Sequence, residues 1–173
     1  MAELVLALDL PDTQQALQMA EKVRKDLKWI KVGLELFCSS GPLIISSLKQ
    51  MGFAVFLDLK FLDIPNTVYK AVQSAALAGA DMLTLHLTGG EDMVRSALKA
   101  RKELESAKVK PPLILGVTLL TSFSRENLPW PDTRNLDEIV LDLAFKGKKW
   151  GLDGAVCSAL ECAAVKKHCA PNF

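Results

Sequence analysis

Short apolar runs alternate with amphipathic stretches from the first residues of the chain onward, and this alternation narrows the fold more than any other feature. It is the pattern of parallel β/α units, not of a sandwich or a helix bundle. Leu4 to Leu8 reads as a strand, Pro11-Asp12 as its turn, and Asp12-x-x-Gln15 as a capping box opening a helix through Val23. Trp29 to Gly33 is the second strand, and Ser39-Ser40-Gly41-Pro42 begins a helix through Met51, with proline near the first helical position. Phe53 to Asp58 is the third strand. Asn66 is placed to cap the next helix, in which Val68, Ala71, Val72, Ala75 and Ala76 recur at helical spacing before Gly79. Met82 to His86, Leu113 to Thr118 and Gly154 to Cys157 complete six strands, with helices predicted over Asp92 to Leu104, from Leu136, and over Ala159 to His168 ahead of Pro171. The longest connection, Leu119 to Asn135, carries Pro129, Trp130 and Pro131, and connections of that length in compact domains are often functional. A closed (β/α)8 barrel has eight strands in at least about 200 residues. The 173 residues hold about six such units, with a seventh strand expected to begin near Asn172-Phe173.

Half of the residues are hydrophobic and the chain shows no break in composition, so residues 1–173 are expected to form one domain around one core. Lys and Arg (21) nearly cancel Asp and Glu (20), a balance that argues against nucleic acid as a partner and for a small-molecule ligand. No apolar run approaches the ~18 residues of a membrane span, and the N-terminus lacks the basic flank of a signal peptide. Cys38, Cys157, Cys162 and Cys169 lack C-x-x-C spacing and the chain has two histidines, so no zinc or iron–sulfur site is expected. The thiols read as reduced, in a cytoplasmic protein.

In parallel β/α proteins reactive groups gather at the carboxyl ends of the strands, where loops vary over a fixed scaffold. The polar residues follow that rule. Asp9 ends the first strand, Lys31 interrupts the second, Asp58 and Lys60 end the third, His86 ends the fourth, and Thr118, Thr121 and Ser122 follow the fifth. Residues two apart on a strand point the same way, so Asp58 and Lys60 are expected on one face, with Asp63 beyond them in the loop. Alternating Asp and Lys hold one another ionised, because each opposite charge nearby offsets desolvation. Such an array suits a reaction that makes a carbanion and then protonates it. Taken singly, Asp63 reads as a solvated loop residue, His86 as a hydrogen-bonded structural residue, and Gly89-Gly90 as a turn.

Asp-x-Lys-x-x-Asp-Ile-Pro-Asn-Thr at 58 to 67, with Lys-Val-Gly at 31 to 33, resembles the signature of the orotidine 5'-monophosphate decarboxylases. The likeness extends over the whole chain through Ala7-Leu8-Asp9, Leu120-Thr121-Ser122 and Val156-Cys157-Ser158. The resemblance implies a TIM barrel, a homodimer and no metal or organic cofactor. It implies Lys60 as the general acid that protonates the ring carbon, Asp58 against the departing carboxylate, and Lys31 and Asp63 completing the charged network. It further implies that Asp63 and Thr67 reach into the partner subunit's site, that Asp9 binds the ribose hydroxyls, and that Thr121 and Ser122 approach the pyrimidine. In that family the phosphate is held by a Pro-Gly-x-Arg segment after the seventh strand and a Gly-Arg pair after the eighth. Neither occurs in these 173 residues, so the phosphate-binding residues are expected beyond Phe173.

Two alternatives stand beside this reading. A sister barrel acting on a sugar phosphate through a magnesium-stabilised enediolate shares an Asp-x-Lys-x-x-Asp core, although Lys31 would crowd a metal there. A non-catalytic dimerising remnant would keep the charges without turnover.

Overall fold

The computed structural model describes residues 2–169 and 173. It has six strands: β1 (Val5–Ala7), β2 (Trp29–Gly33), β3 (Ala54–Phe61), β4 (Met82–His86), β5 (Leu113–Val117) and β6 (Gly154–Val156). All are parallel, each pairs with the next in chain order, and β1 and β6 are the two edges of the sheet. The sheet curls as a half-barrel with helices between its strands. These are α1 (Thr13–Val23), α2 (Leu34–Ser40), α3 (Leu43–Gln50), α4 (Pro65–Leu77), α5 (Gly90–Ser106), α6 (Leu136–Trp150) and α7 (Cys162–Cys169). The predicted (β/α)8-type alternation is therefore present as six strands. Of the residues at the expected seventh strand and before it, Pro171 and Asn172 lie outside the described residues, while Phe173 packs partly buried against the core.

Alternate strand residues point to opposite faces of the sheet. Ile30, Val32, Val55, Leu57, Leu83, Leu85 and Ile114 are at most 1% exposed and pack beneath the helices with Leu36, Ile44, Ile45, Leu48, Val68 and Val72. Each large side chain so buried contributes about 1.5 to 3 kcal/mol, which sets the strand register firmly. The other parity, Lys31, Asp58, Thr84 and His86, turns to the concave interior. Core packing thus leaves polar groups from three neighbouring strands facing one space.

Several boundaries differ from the sequence expectation for local reasons. The helix expected from Pro42 is present as α3, with Pro42 at its N-cap, but the segment after β2 holds an additional helix, α2, which ends at Gly41 (φ 65°). Ile64, in an extended conformation, takes the N-cap position of α4 in place of Asn66, and Pro65 occupies the first helical turn, where its missing N–H is tolerated. β3 continues three residues past Asp58, to Phe61. Of the expected Asp12-x-x-Gln15 capping box the Asp12 half is present, its carboxylate accepting from the Gln15 N–H at 2.9 Å.

Candidate active site

The first two members of the site come from β1 and β2. Ala7 pairs in register with Lys31, and Asp9 lies two residues past Ala7, which brings both side chains to the interior at the carboxyl end of the sheet. Lys31 Nζ donates to Asp9 Oδ1 at 3.0 Å and stands 3.9 Å from Asp58 Oδ2. Gly33 leaves the room for this. A Cβ built there would lie 3.1 Å from Lys31 Nζ and 3.3 Å from Asp9 Oδ1, closer than either would ordinarily accept.

β3 supplies the other two charges through an irregularity. From Leu57 to Phe61 the strand advances four residues while its partner β4 advances two, from Leu83 to Leu85. The surplus is absorbed around Lys60, whose φ of 52° lies in the left-handed region. For a residue with a side chain that conformation costs about 1 to 3 kcal/mol and persists only where surrounding contacts enforce it. Here the Lys60 N–H donates to Thr84 Oγ1 at 2.9 Å, Thr84 Oγ1 donates to Asp58 Oδ1 at 2.8 Å, and Lys60 Nζ donates to Asp58 Oδ2 at 2.7 Å. Asp58 and Lys60 do meet, as strand alternation predicts, but a bulge brings them together and not a regular strand.

The result is a chain of alternating charge, Asp9, Lys31, Asp58 and Lys60, in which both ammonium groups lean on one carboxylate. The Lys31, Asp58 and Lys60 side chains are 21%, 13% and 30% exposed, so the array is partly desolvated yet open to the interior. Lys31 Nζ occupies the space between the two carboxylates that a cation would need. Among the described residues no group of three or more His, Cys, Asp or Glu is arranged to hold a metal ion.

His86 lies two residues beyond Thr84 on the same face. Burial, followed by the positive charge of Lys60, pushes its pKa below the ordinary histidine value, against a smaller opposing effect of Asp58. Its imidazole is therefore neutral near pH 7. Together with Thr118, Phe123 and Trp130 it lines a cavity of about 350 Å³ beside the array. The long connection after β5 lines this cavity through Leu119, Leu120, Phe123, Pro129 and Trp130 and is itself braced, Arg125 donating to the Thr133 carbonyl and Arg134 to Asp132 and Asp142.

Of the residues singled out from the sequence, Asp9, Lys31, Asp58 and Lys60 are brought together. Asp63 and Thr67 are not. Asp63 is exposed with its Oδ1 accepting from the Ile64 N–H at 2.7 Å, and Thr67 is exposed in the first turn of α4. Thr121 and Ser122 are exposed at the start of the long connection, and among the described residues neither hydrogen-bonds to the array. Sequence reasoning missed Thr84, which is 1% exposed and bridges Asp58 to the Lys60 backbone. Its signal was available: a polar side chain between leucines in Met82-Leu83-Thr84-Leu85-His86, at the same strand parity as His86.

This geometry can be set beside known proteins. Residues 2–173 match the model of the orotidine 5'-phosphate decarboxylase / HUMPS family. An orotidine 5'-phosphate decarboxylase of Maridesulfovibrio salexigens is 53% identical over 173 residues, covering all of this chain and 75% of the relative. The corresponding protein of Nitratidesulfovibrio vulgaris is 48% identical, again over the whole chain and 73% of its own length. Among solved structures, an uncharacterised conserved protein from Geobacillus kaustophilus superposes with a TM-score of 0.91 at 38% identity, covering 98% of this chain and 80% of that one. An orotidine 5'-monophosphate decarboxylase from Methanocaldococcus jannaschii, complexed with the inhibitor BMP, gives a TM-score of 0.82 at 28% identity over 98% of this chain and 74% of that one. A sheet of this topology, a charged array spread over three neighbouring strands and a match running from residue 2 to residue 173 together establish that the chain belongs to the orotidine 5'-phosphate decarboxylase / HUMPS family.

Proposed function

We propose that this chain decarboxylates orotidine 5'-monophosphate to uridine 5'-monophosphate in pyrimidine biosynthesis, without a cofactor. The observation that carries the reading is the Asp9–Lys31–Asp58–Lys60 array, assembled before any substrate arrives. In the reaction the bond from the ring carbon to the carboxylate breaks, its electron pair stays on the ring carbon, and carbon dioxide leaves. Enzymes typically remove about 8 to 23 kcal/mol of barrier, and with no electron sink that must come from preorganised charge and from binding energy elsewhere on the substrate. Asp58 stands against the departing carboxylate. Lys60 Nζ, 2.7 Å from Asp58 Oδ2, is next to the vacated position, stabilises the carbanion and delivers the proton. Lys31 bridges the two carboxylates, and Asp9, more than half exposed, has capacity left to accept from the ribose hydroxyls. Thr121 and Ser122 approach the pyrimidine as the long connection settles on the substrate.

The same reading makes the enzyme a cytoplasmic homodimer and residues 1–173 a single barrel domain, with Asp63 and Thr67 acting in the partner subunit's site. Their exposure at the mouth and their separation from the array within one chain support this. The magnesium-dependent sister reaction is disfavoured by Lys31, whose ammonium lies between Asp9 and Asp58.

Uridine 5'-monophosphate formation by the purified full chain tests the proposal. Turnover insensitive to a chelator is expected, whereas activity that a chelator abolishes points to the sister reaction and no turnover removes the decarboxylase reading. Mixing Asp63→Ala with Lys60→Ala chains, each inactive alone, is expected to recover about a quarter of wild-type turnover, since random pairing makes half the dimers mixed, each with one intact site. No recovery would rule out a shared site.

A further inference from the structure

We propose that Thr84 is a positioning residue for the reaction, and that its hydroxyl sets the geometry of Lys60 through the backbone. The inference rests on the decarboxylase reading for its catalytic consequence, but not for its structural basis.

Lys60 is the proposed proton donor, and its backbone adopts a conformation that it would not choose by itself. In the left-handed region the direction of the side chain from the strand differs from that of an extended residue, so whatever holds φ also aims the ammonium. Along β3 the ladder to β4 is interrupted between Leu57 and Phe61, which removes the regular strand hydrogen bonds as a restraint. The Lys60 N–H bonds instead to Thr84 Oγ1 at 2.9 Å. That hydroxyl has one proton, and the proton goes to Asp58 Oδ1 at 2.8 Å. Its polarity is therefore determined. Asp58, as a carboxylate, can only accept; Thr84 must donate to it and so presents a lone pair to the Lys60 N–H.

A single buried hydroxyl thus ties the proton donor's backbone to the carboxylate its ammonium touches, and closes a ring from Asp58 through Thr84 and Lys60 back to Asp58. The tie is local and short, and it comes from β4, a neighbouring regular strand with Leu83 and Leu85 fully buried on its other face. Misplacement of a reacting group by about 1 Å can cost ~100-fold in rate, so loss of this tie should appear in turnover and not in substrate binding.

Thr84→Val removes the hydroxyl at nearly constant volume, and Thr84→Ser restores it. In the full chain, Thr84→Val is expected to lower kcat by about 10- to 100-fold with KM changed by less than about threefold, and Thr84→Ser to stay within about threefold of wild type in both. Independently of activity, amide hydrogen exchange at Lys60 should quicken in Thr84→Val and return to the wild-type rate in Thr84→Ser. If Thr84→Val does not fold, Thr84→Cys, with a weak donor of similar size, carries the same expectation in milder form. Wild-type kcat in Thr84→Val, or unchanged exchange at Lys60, would overturn the proposal. Absent turnover in the unaltered chain together with the expected exchange pattern would sink the decarboxylase reading while leaving the role of Thr84 in place.

Discussion

Among the described residues two carboxylates each hold two lysines, at opposite ends of the sheet, and they are built differently. At the amino end, Asp81 is 7% exposed. Its Oδ2 accepts from Lys49 Nζ at 2.5 Å and from the Val55 N–H at 2.9 Å, and its Oδ1 accepts from Lys110 Nζ at 2.7 Å. Burial raises its pKa, and the bonds from Lys110, Lys49 and Val55 outweigh that effect and hold it below the ordinary carboxylate value. Both lysines reach in from solvent, Lys110 remaining 78% exposed, so the ions stitch β3, α3 and the start of β5 around one buried acid. At the carboxyl end, Asp58 is served by Lys60 from a strained bulge and by Lys31 from within a strand, and both ammonium groups face the open interior. The charges are alike; the backbone is not. Around Asp81 the left-handed residue, Lys108 (φ 60°), stands two positions before Lys110 and outside the ion pairs; around Asp58 the left-handed residue is the ion-pairing Lys60 itself, and a buried hydroxyl holds its backbone.

The sharpest way to break this comparison is Lys60→Ala, for which turnover should fall by about 10²- to 10⁴-fold while the melting temperature moves by less than about 3 °C. A large loss of stability with activity retained would reverse the two assignments. Asp81→Asn should do the opposite. Leaving the Val55 N–H and two lysines without their carboxylate is expected to destabilise the chain by about 3 kcal/mol, or about 6 to 12 °C in thermal unfolding, with kcat per folded molecule unchanged. The pH dependence should agree. The folded pKa of Asp81 lies below its unfolded value of about 3.9, so its stabilising effect is complete above that value and lost as pH falls through the folded pKa. Denaturant unfolding of the wild type and of Asp81→Asn across that range should converge at low pH. The smallest effect belongs to His86. Its folded pKa is depressed below about 6.5, so its contribution to stability declines as pH falls below that value toward the folded pKa. Removing the Lys60 charge should let the His86 resonances titrate at higher pH, still below the ordinary value because burial remains.

Much of the site was legible in the sequence. Lys31, Asp58 and Lys60 interrupt apolar strands, and a charge in such a run needs partners, so their convergence follows from the sequence. Asp9 followed from its place at the end of β1. Thr84 was passed over because a threonine in a strand is unremarkable by composition, and its role depends on a bulge in a different strand. Asp81 was missed for the same kind of reason, since its two lysines lie 32 and 29 residues away along the chain. Helix α2 was overlooked because Gly41-Pro42 reads as a helix start, whereas Gly41 ends one helix before the next begins.

What the sequence determined by itself was therefore whatever depends on local period and local hydrogen bonding: six apolar strands, the helices between them, and the parity that turns the lysines and aspartates inward. Only the tertiary structure decided the register shift of β3 on β4, the left-handed backbone at Lys60, and the hydroxyl that bridges them. The physical reason is that a bulge is a compromise between two strands. Its location is set by which side chains both can bury, and no single segment carries that information.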